Sequence, residues 1–314
     1  MRALPSLIQI SFQNIIRQSF FSIAIVGAYL FIVSTPAFTM FTFFDAEKLL
    51  LDMSMATILL VGLLVSVLAT SSIVGGEMEE KTATLLLSKP LSRFTFLLAK
   101  FCAVAVALIF VLVPLTCALI MTLRIGVPEA VWSDVEYPTL WFIFLPLIGA
   151  VVVAALANYY ADKSFASSFI ILLNIFVILS LVILDFMGKA SLQINLFYPA
   201  ILLWMAGILI CPVASLLALR GRVFFTLTFS FLIFALGLTS NWLFGNILHN
   251  PGVRIVYSLI PNFQVFWIEE FWTKEKSVPI SYFWNVSKYV FLYCMGMLFL
   301  TWSILEKKEV SGGR

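Results

Sequence analysis

Apolar runs long enough to cross a lipid bilayer recur along this sequence, and they constrain the fold more than any other feature. A bilayer core of about 30 Å is crossed by roughly 20 residues of α-helix. The apolar residues are continuous rather than alternating, which excludes a membrane β-barrel. The sequence therefore predicts an all-α polytopic membrane protein with about eight transmembrane helices, and six is the alternative. The eight candidate spans are 19–43, 54–74, 95–122, 139–161, 166–186, 196–219, 223–247 and 284–305.

The composition agrees with a chain that is surrounded by lipid. Hydrophobic residues make up 62% of the sequence and charged residues only 11%, whereas soluble domains carry about 25% charged residues. The net charge of +3 is too small to indicate nucleic acid as a partner. The cysteines lie in apolar segments without paired spacing, so they predict neither a disulfide framework nor a metal site; they are Cys102, Cys117, Cys211 and Cys294.

Basic residues are distributed unequally between the two predicted faces of the membrane. If the chain starts on the cytoplasmic side and crosses eight times, twelve of its 19 Lys and Arg residues lie on that side. The opposite side receives the other seven, together with ten of the 16 acidic residues. Cytoplasmic loops of membrane proteins are enriched in Lys and Arg. The sequence therefore predicts that both ends of the chain face the cytoplasm.

Two regions outside the spans have their own pattern. Residues 1–18 place apolar side chains at helical spacing with polar residues between them, which predicts an amphipathic helix in the membrane interface. A secretory signal peptide is the alternative, but the apolar run that follows is longer than the usual core of about 7–15 residues. Residues 19–314 are expected to form a single transmembrane domain. Its largest outer loop covers about 248–283 and is rich in proline and aromatic residues.

Residues with catalytic chemistry are not grouped in this sequence. The single histidine, His249, stands apart from cysteines and clustered carboxylates. Residues 75–82 have Gly, Lys and Thr in the register of a phosphate-binding loop, but Glu80 replaces the second glycine, and a carboxylate there would repel phosphate. No predicted span has an ionisable residue near its middle, where Asn174 is the most polar side chain. We therefore predict no catalytic or metal-binding residue, and expect the energy for uphill transport to come from a partner.

The strongest local signal is the inner segment 75–100, GGEMEEKTATLLLSKPLSRFTFLLAK. Its acidic start suits a helix N-terminus, a run of leucines follows, and Pro90 with Ser92 interrupts and restarts the chain before the next span. These features predict a short amphipathic helix at the cytoplasmic face. Charged and apolar groups together suit docking into a protein groove. A solvated inner loop with ordinary basic residues is the alternative.

This segment resembles the signature of the permeases of the type-2 ABC exporter family, with an acidic residue, a Thr, leucines, Pro, Ser-Arg and a later Lys after the second span. Leu259–Phe263 resembles the outer motif before that family's last span, and Leu305–Glu309 resembles its basic-acidic ending. Two departures concern Lys81, which stands where the family often has Gly, and the predicted span count, since six spans are commoner in the family. The residues that match in the segment are Glu77, Thr82, Leu85, Leu86, Leu87, Pro90, Ser92, Arg93 and Lys100.

The resemblance implies a transmembrane subunit of an ATP-driven exporter in a bacterial inner membrane. Its partners would be two copies of a cytoplasmic ATPase subunit, which would hold ATP and Mg, a second permease chain that is identical or homologous, and membrane lipid. Residues 77–90 would form the coupling helix. The residues expected to contact the ATPase subunit are Glu77, Glu80, Lys81, Thr82, Leu85, Leu86, Leu87, Pro90 and Arg93.

Small residues recur on the third predicted span. Ala99, Ala103 and Ala107 stand four residues apart, and small side chains let a neighbouring helix approach closely in a membrane. The spacing leaves open whether that neighbour belongs to this chain. Two other function classes also remain open, namely a secondary transporter that needs no ATPase and a membrane anchor or assembly protein.

Overall fold

The computed structural model describes residues 3–39, 46–76, 92–125, 137–187, 196–219, 222–245, 251–268 and 279–312. Every regular element within these ranges is helical. A π-helical segment, Ser71–Gly75, continues α3, and a 3₁₀ turn covers Gln264–Phe266. The α-helices are α1 (Ala3–Ile16), α2 (Ser19–Thr39), α3 (Ala46–Thr70), α4 (Arg93–Ile125), α5 (Tyr137–Ala161), α6 (Phe165–Phe186), α7 (Phe197–Ala218), α8 (Val223–Phe244), α9 (Pro251–Leu259) and α10 (Ile280–Gly312).

Eight helices in the described part of the chain are long and apolar enough to cross a membrane, which confirms the predicted all-α polytopic fold and the count of eight. They are α2 to α8 and α10. Several helices are longer than the predicted spans. α3 begins at Ala46 rather than near 54 because Glu47, Lys48 and Asp52 lower the local hydropathy while leaving the helix intact.

The centre of the bundle consists of α3, α4 and α7. In the most apolar stretch of 18 residues in each of these helices, 67%, 67% and 78% of the residues are buried, whereas the corresponding value for α5 is 22%. Small residues allow α3 and α7 to approach closely. The Ser66 hydroxyl donates a hydrogen bond to the Gly207 carbonyl at 2.7 Å, and a Cβ on Gly207 would lie 3.6 Å from the carbonyl oxygen of Gly62. The indole Nε1 of Trp204 donates to the Ala105 carbonyl at 3.1 Å, which joins α7 to α4.

The remaining spans surround this centre. α2 packs on α3 and α4, α8 and α10 pack on α7, and α5 pairs with α6, which in turn packs on α4. The Tyr29 hydroxyl of α2 donates to the Ile143 carbonyl of α5 at 2.8 Å. We call α3, α4 and α7 the core helices, and α5 and α8 the rim helices.

Two contacts show which helix ends lie on the same side of the bundle. The Gln18 amide donates to the Ser72 hydroxyl of the π-helical segment, and the Arg93 guanidinium at the start of α4 donates to the Glu306 carbonyl of α10 at 3.5 Å. The end of α1, the last turns of α10 and the helix ends that flank 77–91 are therefore on one side. We call it the inner face, after the predicted orientation.

Exposed aromatic side chains stand at both ends of the lipid-facing helices. On α5, Trp141 near the outer end is 73% exposed and Tyr160 near the inner end is 78% exposed. On α8, Phe224 and Trp242 occupy the corresponding ends and are also exposed. Tyr and Trp concentrate at membrane–water interfaces because their rings are amphipathic. The spacing on α5 corresponds to about 28 Å of helix, close to the thickness of a bilayer core.

The N-terminal segment forms the helix α1, whose apolar side packs on α4. Ile15 and Ile16 are buried, and the ring of Phe12 lies 5.2 Å from the ring of Phe110 between centroids. Ser6, Gln9 and Gln13 are exposed. The position of α1 in the membrane interface stays a prediction.

Candidate functional site

The predicted coupling helix lies outside the described residues, because the structure describes the chain up to Gly76 and again from Ser92. Arg93 is the one predicted ATPase-contact residue that is described. The structure does show the two helix ends that hold this segment. The predicted contact residues outside the described ranges are Glu77, Glu80, Lys81, Thr82, Leu85, Leu86, Leu87 and Pro90.

The first of these helix ends is the π-helical segment Ser71–Gly75 that continues α3. Ser71, Ile73, Val74 and Gly75 are buried, and the segment packs against α1, α7 and α8. π-Helical turns have a wider hydrogen-bond pattern than α-helix and occur frequently at functional sites. α3 therefore enters the predicted coupling segment through a turn that is not regular α-helix but is fixed on several sides.

The second helix end is the start of α4. The backbone N–H of Thr95 donates to the Ser92 hydroxyl at 3.1 Å, and the N–H of Phe96 donates to the Ser92 carbonyl at 3.1 Å. Ser92 is therefore the N-cap, which satisfies a backbone donor that the first turn leaves without a partner. The Arg93 side chain reaches the Glu306 carbonyl, so the start of α4 is also joined to α10.

A buried lysine lies on α4 about two turns from this cap. Lys100 is 4% exposed, and its Nζ atom is 5.2 Å from the centroid of the Phe96 ring. We call the small cavity beside it the Lys100 pocket. Its walls come from four helices, α3 with its π-helical segment, α4, α7 and α10, and include Thr70, Val74, Leu97, Cys211, Ser215 and Leu298.

The sequence did not reveal the burial of Lys100. It stands near the end of a predicted span, where a lysine is normally assigned to the aqueous interface because its long side chain can reach water. The one sequence feature that pointed to Lys100 was its position in the segment that resembles the type-2 ABC exporter signature, seven residues after Arg93. Its enclosure by four helices depends on the packing of α7 and α10, which lie more than 100 residues further along the chain.

The alanine stripe of α4 is fully buried. Ala99, Ala103 and Ala107 have no exposed surface, and the helical spacing places them on the side of α4 that also carries Phe110. The Phe110 ring contacts Phe12 of α1. This arrangement brings a helix of the same chain to that side of α4, while the role of the stripe in packing stays a prediction.

The outer motif is tightly packed into the bundle. Phe263 is buried and its ring lies 5.0 Å from that of Phe234 on α8. A Cβ on Gly237 would collide with the Pro261 carbonyl oxygen and lie 2.6 Å from Cδ2 of Phe263. Glycine at position 237 is therefore what allows the motif to approach the backbone of α8.

Hydrogen bonds hold this motif from three sides. The Asn262 amide donates to Asn241 Oδ1 of α8 at 2.9 Å, and the Asn262 N–H donates to the Tyr289 hydroxyl of α10 at 2.9 Å. The Asn262 amide also donates to the Tyr257 hydroxyl of α9 at 3.3 Å. The motif thus joins α8, α9 and α10 at the outer face.

Two polar groups inside the bundle join neighbouring helices. The Asn174 amide donates to the Phe110 carbonyl of α4 at 3.2 Å and to the Ile170 carbonyl of its own helix at 2.9 Å. An Arg124 nitrogen lies 3.7 Å from a carboxylate oxygen of Asp185, which pairs the outer ends of α4 and α6. Asn174, the most polar residue near the middle of a predicted span, therefore joins two helices of the bundle.

The fold defines a multi-pass helical membrane protein. A family model described as ABC-2 family transporter protein matches residues 7–180, which is more than half of the chain and includes α2 to α5, most of α6 and the predicted coupling segment. The chain belongs to the ABC-2 family of transporters and is an ABC transporter membrane subunit, a permease. Membership of this family generally implies an ATPase partner. No curated protein and no solved structure matches the chain.

Proposed function

We propose that this permease is the transmembrane subunit of an ATP-driven exporter. It pairs with a second permease chain, identical or homologous, and with two cytoplasmic ATPase subunits, which bind ATP and Mg and carry out the hydrolysis. The permease itself has no catalytic residue. Residues 77–90 form the coupling helix, which docks in a groove of the ATPase subunit.

One observation in particular supports this proposal. The two helices that flank residues 77–91 are α3 and α4, and both are core helices with two thirds of their most apolar window buried. A displacement of the coupling segment is therefore applied directly to the centre of the bundle. Packed helices favour discrete arrangements over continuous deformation, so such a displacement is passed on to the helices that contact α3 and α4.

The residue types in the segment suit the proposed docking. Leu85, Leu86 and Leu87 provide an apolar anchor of the kind that dominates binding energy in protein interfaces. Charged residues around it set the orientation through polar contacts at the edge of the interface. These are Glu77, Glu80, Lys81 and Arg93, with Thr82 and Pro90 completing the contact surface.

The membrane orientation follows from the charges. The inner face carries the excess of Lys and Arg and is cytoplasmic, which places both chain ends and the coupling segment next to the ATPase subunits. The family resemblance and this pattern favour a bacterial inner membrane. Lipid contacts the exposed apolar sides of α5, α8 and α10.

Affinity purification tests this proposal. The tagged chain is isolated from native membranes in detergent, its partners are identified, and ATP hydrolysis is measured. We expect the wild-type chain to retain a nucleotide-binding subunit and Leu86→Asp to lose it, because a carboxylate in the apolar anchor must be desolvated. The matched control is Leu259→Asp, since Leu259 is an exposed leucine at the opposite, outer face.

The two variants separate docking from general damage. If Leu86→Asp releases the ATPase subunit while Leu259→Asp retains it, the coupling role is supported. Retention of the subunit by Leu86→Asp would contradict the assigned docking surface. A wild-type preparation without any ATPase subunit would contradict the exporter and favour the secondary transporter or the membrane anchor.

A further inference from the structure

The burial of Lys100 requires an explanation beyond ordinary membrane topology. Lysines near the ends of membrane helices usually extend to water, but Lys100 is 4% exposed and its Nζ atom faces the ring of Phe96. Burying an ammonium group is unfavourable unless charged, polar or aromatic groups stabilise it. Charged residues within membrane spans are rare and usually functional.

The surroundings of Lys100 join the two helices that flank the coupling segment, α3 and α4, to α7 and α10. Thr70 and Val74 come from the end of α3 and its π-helical segment, Ser215 comes from the last turn of α7, and Leu298 comes from α10. Lys100 itself is two turns from the N-cap of α4. One charged side chain thus lies where four helices meet near the inner face.

The π-helical segment makes this position mechanically important. A π-helical turn carries wider hydrogen-bonded rings than α-helix and a less regular bond pattern, so the end of α3 needs neighbouring contacts to keep one arrangement. The wall that it presents to Lys100 consists of Thr70, Ile73 and Val74. An ammonium group has three donors, which suits polar contacts with more than one helix.

We propose that Lys100 is a positioning residue that fixes the end of α3 against α4, α7 and α10. Its charge keeps the parts of these four helices that meet around it in register, so that they move together when the coupling segment is displaced. This inference rests on the proposed function, because it assumes that an ATPase subunit acts on that segment. Lys100 does not itself contact the ATPase subunit.

The test uses the complete complex of permease and ATPase subunit in lipid vesicles. Three quantities are measured for each variant: retention of the ATPase subunit, the thermal unfolding midpoint, and the factor by which the permease raises ATP hydrolysis over the isolated ATPase subunit. We expect Lys100→Met to lower that factor by about fivefold or more, the lower end of typical coupling between sites, and to retain the ATPase subunit. Lys100→Arg, which keeps the charge, is expected to retain most of the wild-type stimulation of ATP hydrolysis.

The matched control is Lys163→Met, which removes an exposed lysine from the connection between α5 and α6 on the same face. It is expected to behave as the wild type. Thr70→Val, which removes one hydroxyl from the pocket wall with little change in volume, is expected to lower the factor less than Lys100→Met does.

Four results would overturn the proposal. An unchanged factor in Lys100→Met would show that the charge is not needed, and equal losses in Lys100→Met and Lys100→Arg would show that only packing matters. Loss of the ATPase subunit from Lys100→Met would assign the residue to docking instead. If the wild-type chain retains no ATPase subunit, the proposed function fails and this inference fails with it, whereas the first three results leave the proposed function intact.

Discussion

The core helix α4 and the rim helix α5 have nearly the same hydropathy but opposite surroundings. Their mean hydropathy values are 2.8 and 2.6, while 67% and 22% of the corresponding residues are buried. Lipid tails are as apolar as a protein interior, so hydropathy reports membrane insertion and not which neighbour a helix has. In this protein, helix contacts must therefore be read from the position of small residues.

Both helices follow that rule. On α4 the fully buried alanines form a continuous stripe. On α5 the fully buried small residues are Ala150 and Ala154, and a Cβ on neighbouring Gly149 would lie 3.4 Å from the Phe176 ring of α6. Many large side chains of α5 instead point outward, such as Leu145 and Leu156. Three substitutions test the difference between core and rim.

The largest effect is expected for Ala103→Leu on α4. Ala103 is fully buried, and adding three carbon atoms to a packed helix contact destabilises by about 3 kcal/mol, the upper part of the usual range. The same change at Ala155, which is exposed on α5, should leave stability unchanged. Denaturant or thermal unfolding in detergent compares the two variants, and equal effects would break the distinction between core and rim.

A rim helix should also be sensitive to substitution where it carries a buried contact. We therefore expect the second largest loss of stability for Gly237→Ala on α8. The new Cβ would meet the Pro261 carbonyl, so the outer motif must move, with an expected loss of about 2 kcal/mol. Gly296→Ala on α10 is the control, because its Cβ would have no neighbour within 4 Å. A Gly237→Ala protein as stable as Gly296→Ala would show that the outer motif is not held against α8.

The smallest effect is expected for Asn174→Leu, which removes the side-chain hydrogen bond between α6 and α4. Interhelical hydrogen bonds in membrane proteins contribute about 0.6 kcal/mol on average. Thr239→Val on α8 is the control, because that exposed hydroxyl bonds within its own helix, to Ala235 and Leu236. If Asn174→Leu destabilised no more than Thr239→Val, the polar link to the core would contribute nothing measurable.

Much of the fold followed from the sequence, because a bilayer imposes a length on every span. Eight helices were predicted and eight are present among the described residues. The ends of α3 and α10 were less well predicted, since charged residues such as Asp52 end a hydrophobic run without ending a helix. Which spans are neighbours in the bundle could not be predicted, because a helix side that faces lipid and one that faces another helix carry the same apolar residue types.

The parts of the candidate site that depend on local sequence could be predicted, and those that depend on the packing of distant spans could not. The motif around 75–100 pointed to the inner ends of α3 and α4, and local signals such as the Ser92 cap were readable in the sequence. The enclosure of Lys100 was not, because its neighbours Ser215 and Leu298 are brought to it only by the packing of distant spans. The π-helical segment was also missed, since its residues do not differ in type from those of ordinary α-helix.

The aromatic side chains at the ends of α5 also determine how the protein matches its membrane. Trp141 and Tyr160 define a lipid-facing length of about 28 Å, whereas the 33 residues of α4 extend over about 50 Å. A membrane helix that is longer than the hydrocarbon thickness tilts or kinks, and a shorter one thins the bilayer around it. Lipids with shorter acyl chains are therefore expected to increase the tilt of the rim helices and lipids with longer chains to thin around them, while α4 is long enough to cross either bilayer.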